Sequence, residues 1–236
     1  MPQHPDKNTR QSAPLVLIGG SFDPVHVGHI SMAERLQASI PQAHICFVPT
    51  AGSPFKRTQT SAKHRLAMLR LALRDTTFGV DTTDLKGTPP TFTLDTLQHI
   101  RRRIGPSRPI IFALGEDSFR SLPRWKGEFS LLAYAHLWVF GRATQSLSAV
   151  TTSQTASNAQ LQELARLFPE LESRLVSTPS HLFATPAGSI FLDDFIPPPI
   201  SSTLLRDALA EHFGTSVGLV PRRVLRYIQQ SNLYGN

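Results

Sequence analysis

The chain has 236 residues, a formal net charge of +7, 40% hydrophobic residues and one cysteine. That length suits one large domain, and the apolar share supports a real core, which excludes disorder throughout. No apolar run reaches the ~20 residues of a membrane span, no cysteine pair accompanies the scattered histidines as a zinc site would require, and no basic repeat interleaved with aromatics marks a nucleic-acid binder.

Residues 1–13, within "MPQHPDKNTRQSAP", are polar and are expected to form a flexible extension. They lack the apolar core of a secretory signal. With the lone Cys46, a reducing cytoplasm is the simplest setting. "LVLIGG" at 15–20 reads as a buried strand ending in glycines, followed by a helix from about Gly28 through Ile30, Ala33, Leu36 and Ala38. "HICFVP" at 44–49 reads as the second strand, and "TAGSPFKRTQT" as loop. "SAKHRLAMLRLALRD" has Ala62, Leu66, Leu69 and Leu73 at helical spacing, with Ser61 as its cap. "TFTLDTLQHIRRRIGP" predicts a helix with Leu94, Leu97, Ile100 and Ile104 inward and a stop at Gly105-Pro106. "PIIFALGEDS" is a strand running into a loop that opens a helix, and "HLWVFGR" is a further strand. Residues 143–160 are rich in Ser, Thr, Ala and Gln and read as a mobile insertion. The fold resumes at "GSIFLDDF", "PPPISSTLLRDAL" enters a helix, and "PRRVLRYIQQSNLY" closes the chain as an amphipathic helix.

Strand and helix alternate, so residues 14–236 are expected to form a single α/β domain, a mostly parallel sheet with helices on both faces. Ligands of such sheets bind at the carboxyl ends of strands. "GGSFDPVHVGH" at 19–29 and "GEDS" both follow strands, which places them on one edge. Glycines there let the backbone turn and approach a ligand, and the N-terminus of the next helix favours phosphate. His26 and His29 can face one side and donate to an anionic oxygen, with Gly28 keeping the surface low between them. Asp23 and Pro24 shape the turn. The positive charge fits an anionic partner, although from charge alone a basic solvated surface is the favoured reading.

"GGSFDPVHVGH" matches the H-x-G-H signature of the nucleotidylyltransferase superfamily, and "ISSTLLR" at 200–206 resembles its second signature, I-S-S-T-x-x-R. Within the superfamily the chain is similar to the bacterial nicotinate-nucleotide adenylyltransferases over much of 14–142 and again over 188–234. The similar segments are "TPPTFTLDTL", "ALGEDSFRSLPRWKG" and "LVPRRVLRYIQQSNLY". The first two of these, in the middle of the chain, set it apart from phosphopantetheine adenylyltransferase. The resemblance implies a Rossmann-like nucleotidyltransferase fold and a reaction of ATP with nicotinate mononucleotide. Its products are nicotinate adenine dinucleotide and pyrophosphate, with Mg2+ carried mainly on the ATP phosphates and no metal ligands of the chain's own.

The same resemblance assigns His26 and His29 to the ATP phosphates, His29 nearer the α-phosphate. It assigns Arg206 to the β- and γ-phosphates, with Ser202 and Thr203 beside it. Gly20, Ser21 and Phe22 contribute backbone contacts. Lys56 neutralises phosphate, and Asp117, next to Gly115, accepts from a ribose hydroxyl. Trp125 stacks on the pyridine ring, which Phe92 and Thr93 orient. Taken alone, Lys56 reads equally well as a solvated loop lysine, Asp117 as a helix N-cap, Trp125 as a core residue and "SSTLLR" as an ordinary cap. Arg101, Arg102 and Arg103 read as structural or solvated, and Asp193 and Asp194 as strand-end surface charges. Phe55 and Phe92 depart from the family's His and Tyr, removing two polar contacts. Adenylyl or cytidylyl transfer to another phosphorylated small molecule stays open, as does a non-catalytic nucleotide-binding regulator. The sequence also leaves a homodimer open.

Overall fold

A computed structural model describes residues 13–52, 60–141, 154–156, 158–211 and 218–235. The strands are β1 (Leu15–Gly20), β2 (His44–Pro49), β3 (Gly79–Val80), β4 (Ile110–Gly115), β5 (His136–Phe140), β6 (Gln154–Thr155), β7 (Leu175–Val176), β8 (Ile190–Asp193) and β9 (Phe195–Ile196). The helices are α1 (Val27–Ser39), α2 (Ala62–Ala72), α3 (Thr93–Ile104), α4 (Glu116–Arg120), α5 (Asn158–Ala165), α6 (Ser202–Glu211) and α7 (Arg222–Gln230). A seven-stranded sheet runs in the order β3-β2-β1-β4-β5-β8-β7, and each neighbouring pair in it is parallel. The expected α/β architecture is the observed one.

The sheet divides the core. Val16, Ile18, Phe47, Ile111, Ala113, Trp138 and Phe140 pack on one face against Leu36 of α1, Met68 and Leu69 of α2, Leu205 of α6 and Ile228 of α7. The alternate residues Leu15, Leu17, Phe112, Leu114, Leu137 and Val139 face α3, α4 and α5 through Leu97, Ile100, Phe119 and Leu164. Burial on both faces is why "LVLI", "IIFAL" and "HLWVF" are continuous apolar runs rather than alternating ones. The strand order reverses direction between β1 and β4, so the crevice at their carboxyl ends is the place for a ligand. Among the described residues, no helix is long and apolar enough to cross a membrane.

The structure departs from the sequence reading in several places. On α2 the buried residues are Arg65, Met68 and Leu69, while Ala62 and Leu66 are half-buried. An arginine occupies the inward stripe because its head group has buried carbonyl partners. Residues 143–153 and 157 of the expected insertion lie outside the described residues. The end of that segment is built into the fold. β6 pairs antiparallel with β9, Ala156 is buried, and α5 begins at Asn158. A two-residue strand has no period to read, which is why composition alone gave only an insertion.

Asp193 is not a surface charge. It is fully buried and accepts from Arg35 Nη2 at 2.7 Å, from Trp138 Nε1 at 2.8 Å and from the Phe195 backbone N–H at 3.1 Å. The Arg35 guanidinium thereby pins α1 to the end of β8, and its own pKa is raised chiefly by that hydrogen bond. Asp194 also meets Arg35, but its side chain is 51% exposed. Asp193→Ala leaves the buried Trp138 Nε1–H without its acceptor, which costs about 1–3 kcal/mol beyond the loss of the Arg35 bonds, against about 0–1 kcal/mol for an exposed pair. Asp193→Ala should therefore lower the urea midpoint severely while Asp194→Ala barely moves it. Equal losses would mean that the pair does not anchor α1.

Candidate active site

β1 delivers the chain to Gly20 and Ser21, and Phe22 then adopts a left-handed backbone with φ of 51°. Its buried ring compensates, packing edge-on against His29 at 5.0 Å and Phe47 at 5.5 Å between centroids. Asp23 follows, 1% exposed. Its Oδ1 accepts from Thr60 Oγ1 at 2.5 Å and from the Tyr234 hydroxyl at 2.6 Å. The expectation that Asp23 shapes the turn fits this position.

His26 is the N-cap residue of α1, and its backbone N–H donates to His29 Nδ1 at 3.3 Å. That bond assigns the proton of a neutral His29 to Nε2. The two imidazoles stack with centroids 3.6 Å apart. His26 is 5% exposed, and its Nδ1 is buried without a hydrogen-bond partner. Burial first, and then repulsion from His29, hold its pKa well below the usual imidazole value. Gly28 has a role other than the expected one. A Cβ there would lie 3.1 Å from both His26 Nδ1 and the Pro198 carbonyl oxygen, so the missing side chain makes room for the His26 ring and a neighbouring segment.

The second signature reaches the same loop. Arg206 on α6 donates through Nη1 to the Asp23 carbonyl at 2.9 Å and through Nη2 to Thr203 Oγ1 at 3.2 Å. Ser202 Oγ donates to the Pro24 carbonyl at 3.0 Å. The side chain capping α6 is that of Ser201, which accepts from the Leu204 N–H at 3.2 Å. His26, His29, Ser202 and Arg206 are thus gathered around one turn at the carboxyl end of β1.

A second group lies along the same sheet edge. Gly115 is the N-cap of α4, and Asp117 is in its first turn, exposed to solvent, so the N-cap reading of Asp117 fails. A Cβ on Gly115 would point into open space. Trp125 donates through Nε1 to Ser121 Oγ at 3.0 Å and meets Phe112 edge-on at 6.5 Å. Phe92 precedes α3 and gives its first turn no side-chain cap. Lys126 joins the two segments, bonding the Asp95 carboxylate at 2.8 Å and sitting 5.1 Å from the Phe92 ring centre. A Cβ on Gly127 would come within 2.5 Å of Leu94 Cδ2, so the turn after Trp125 packs directly on α3. Phe55 and Lys56 fall outside the described residues.

The pattern of the cytidylyltransferase-like family matches residues 17–208. A probable nicotinate-nucleotide adenylyltransferase of Hahella chejuensis is 33% identical over 230 residues, covering 96% of this chain and 98% of that one. The chain belongs to the nicotinate-nucleotide adenylyltransferase family. A probable member from Yersinia enterocolitica is 35% identical over 221 residues, 92% of this chain and 94% of its own. The fold is also that of the Plasmodium falciparum nicotinic acid mononucleotide adenylyltransferase complexed with NaAD. That structure aligns with a TM-score of 0.66 at 18% identity, over 94% of this chain and 97% of the other. Both signature segments of the family, 19–29 and 200–206, lie within the matched span.

Arg65, Asp84, Thr60 and Tyr234 were missed by the sequence reading, although each is tied to this loop or its neighbour. Only Arg65 left a trace, as a charge on the apolar stripe it shares with Leu69.

The depressed pKa of His26 has a sign. The unfolded ring takes up a proton near pH 6.5 that the folded ring resists. Stability is therefore full above that value and falls as pH drops through it. His136, also buried, adds in the same direction. Urea unfolding at about pH 7.5 and about pH 5.5 should show a smaller loss of stability on acidification for His26→Gln than for wild type. An identical loss would mean that His26 is protonated in the fold.

Proposed function

We propose that this protein transfers the adenylyl group of ATP to nicotinate mononucleotide, giving nicotinate adenine dinucleotide and pyrophosphate, a step of NAD biosynthesis. The observation that carries this reading is the convergence of His26, His29 and Arg206 on the Asp23–Pro24 turn, in a chain that aligns almost end to end with nicotinate-nucleotide adenylyltransferases. The Plasmodium relative has been captured with NaAD and with APC, ligands of the corresponding kinds.

The attacking group is the 5′-phosphate of the mononucleotide. Its second pKa lies near 6, so it is largely ionised at neutral pH and needs no strong base. One of its oxygens forms a bond to the α-phosphorus as the bond from that phosphorus to the bridging oxygen breaks, and pyrophosphate leaves with the electron pair. The protein aligns the two and stabilises the growing charge. His29 Nε2–H and the N-terminus of α1 are suited to the α-phosphate. Arg206, oriented by the Asp23 carbonyl and Thr203, is suited to the departing phosphates. Gly20, Ser21 and Phe22 offer backbone along the nucleotide, with Gly115 and Asp117 beside the ribose; the role of Lys56 toward phosphate rests on the sequence resemblance alone. The first turn of α3 after Phe92 and Thr93 offers N–H groups to the pyridine carboxylate, and Trp125 offers a stacking face.

Magnesium takes oxygen ligands, whereas this site offers imidazoles and a guanidinium. Among the described residues, no cluster of three or more His, Cys, Asp or Glu could hold a metal ion. The donors do not fit a resident Mg2+, which in this reading travels on the ATP phosphates. A lone cysteine and an ATP-dependent reaction suit a cytoplasmic enzyme.

Incubation with ATP, Mg2+ and nicotinate mononucleotide should release pyrophosphate and the dinucleotide. The acid should be preferred over nicotinamide mononucleotide, because the amide NH2 would meet N–H donors and leave one unpaired. That costs about 1–3 kcal/mol, roughly 5- to 150-fold in kcat/KM. Efficient turnover of a different phosphorylated small molecule, with neither mononucleotide used, would overturn the substrate assignment.

His29→Ala should keep the fold by circular dichroism and lose about 100- to 1000-fold in kcat. Turnover close to wild type would remove His29 from the mechanism.

A further inference from the structure

The peptide unit between Thr50 and Ala51, just beyond β2, lies between two buried charges. Its carbonyl accepts from Arg65 Nη2 at 2.7 Å, and its N–H donates to Asp84 Oδ2 at 2.8 Å. Arg65 is 1% exposed and Asp84 7%. They form an ion pair with a peptide as its middle, a cation on the negative end of the amide dipole and a carboxylate on the positive end. Burial lowers the pKa of Arg65, and the neighbouring Asp23, Tyr234 and Asp84 oppose that fall.

Each charge extends the bridge away from the peptide. Arg65 Nη1 donates to the Ser21 carbonyl at 2.7 Å, inside the loop that carries the first signature. The Asp84 carboxylate accepts from Thr91 Oγ1 at 2.6 Å and from Thr96 Oγ1 at 2.5 Å. Thr91 is fixed further by its N–H to the Gly52 carbonyl at 2.9 Å. Thr96 closes the first turn of α3, its N–H returning to the Phe92 carbonyl at 3.2 Å. Thr91 and Thr96 therefore hold the chain on both sides of Phe92 and Thr93.

We propose that Arg65 and Asp84 are positioning residues that set the loop after β1 and the first turn of α3 at a fixed separation, with Asp84 governing recognition of the pyridine substituent. The proposal rests on the reading of the first turn of α3 as the mononucleotide's ring site. Both charged groups bond to protein, so their effect on substrate passes through the backbone they hold. A misplacement of about 1 Å in reacting groups can cost about 100-fold, and N–H groups on a helix turn can recognise a carboxylate only while that turn is held in place.

The test uses Thr96→Val, which removes one hydroxyl from the Asp84 carboxylate, Thr96→Ser, which restores it, and Asp84→Asn. Steady-state kinetics would be measured with ATP and each of the two mononucleotides. Thr96→Val and Asp84→Asn should raise the KM for nicotinate mononucleotide about tenfold or more, as expected for loss of a hydrogen bond to a charged group. They should also shrink the preference for the acid over the amide. The KM for ATP should stay within about twofold, and Thr96→Ser should behave as wild type. A merely structural role would lower the melting temperature and kcat and leave the acid-to-amide ratio unchanged, and that result would overturn the proposal. Should Asp84→Asn fail to fold, the Thr96 pair decides. Wild-type enzyme in the same assay separates the two readings. Failure to use nicotinate mononucleotide overturns the proposed function and this inference with it, whereas normal use with unmoved variants overturns the inference alone.

Discussion

The Asp23 carboxylate is buried at the turn that follows β1, and the ends of the chain meet on it. Tyr234, 211 positions away, donates its hydroxyl to Oδ1, and Thr60 does the same from the start of α2's approach. The main-chain carbonyl of the same residue receives Arg206, 183 positions away. A carboxylate taken out of water is tolerated only where donors surround it. Burial and the adjacent carboxylate push the Tyr234 phenol well above its ordinary pKa, which keeps the hydroxyl protonated and donating. The Asp23 carboxylate thus fixes the C-terminal segment and the approach to α2 on this turn, while the carbonyl of the same residue fixes the second signature there.

The same logic separates holding from reacting. Asp23, Arg65, Asp84 and Asp193 are charged and buried, and each bonds to other parts of the protein. Ser202 Oγ donates to a carbonyl, and Thr203 Oγ1 accepts from Arg206, roles that orient the neighbouring turn. The groups proposed to meet the nucleotide are donors: an imidazole N–H, a guanidinium and a helix N-terminus. Donors of that kind would stabilise phosphate oxygens and align them, which is sufficient when the attacking phosphate is already ionised.

The sheet and its helices were legible because apolar runs and helical stripes are local signals. His26, His29 and Arg206 were legible because the residues of each signature lie close together in sequence. Buried polar residues were not. Arg65 is explained only by the Ser21 and Thr50 carbonyls that its guanidinium reaches, and Asp193 reads as a strand-end charge until Arg35 and Trp138 close on it. Tyr234 gave no signal, since its partner lies at the other end of the chain. Gly28 was assigned to the ligand side, whereas the Pro198 carbonyl and the His26 ring are what require it. In each case the missing information is a tertiary partner.

In the proposed reaction the two substrates react directly, aligned by the protein and never bonded to it. The stereochemical course at the α-phosphorus tests this most directly. ATP made chiral there by substitution of sulfur for one non-bridging oxygen would be turned over with nicotinate mononucleotide, and the configuration of the dinucleotide determined by phosphorus NMR. A single in-line displacement predicts inversion. Retention would require two displacements through a covalent adenylyl-protein, and would contradict the account.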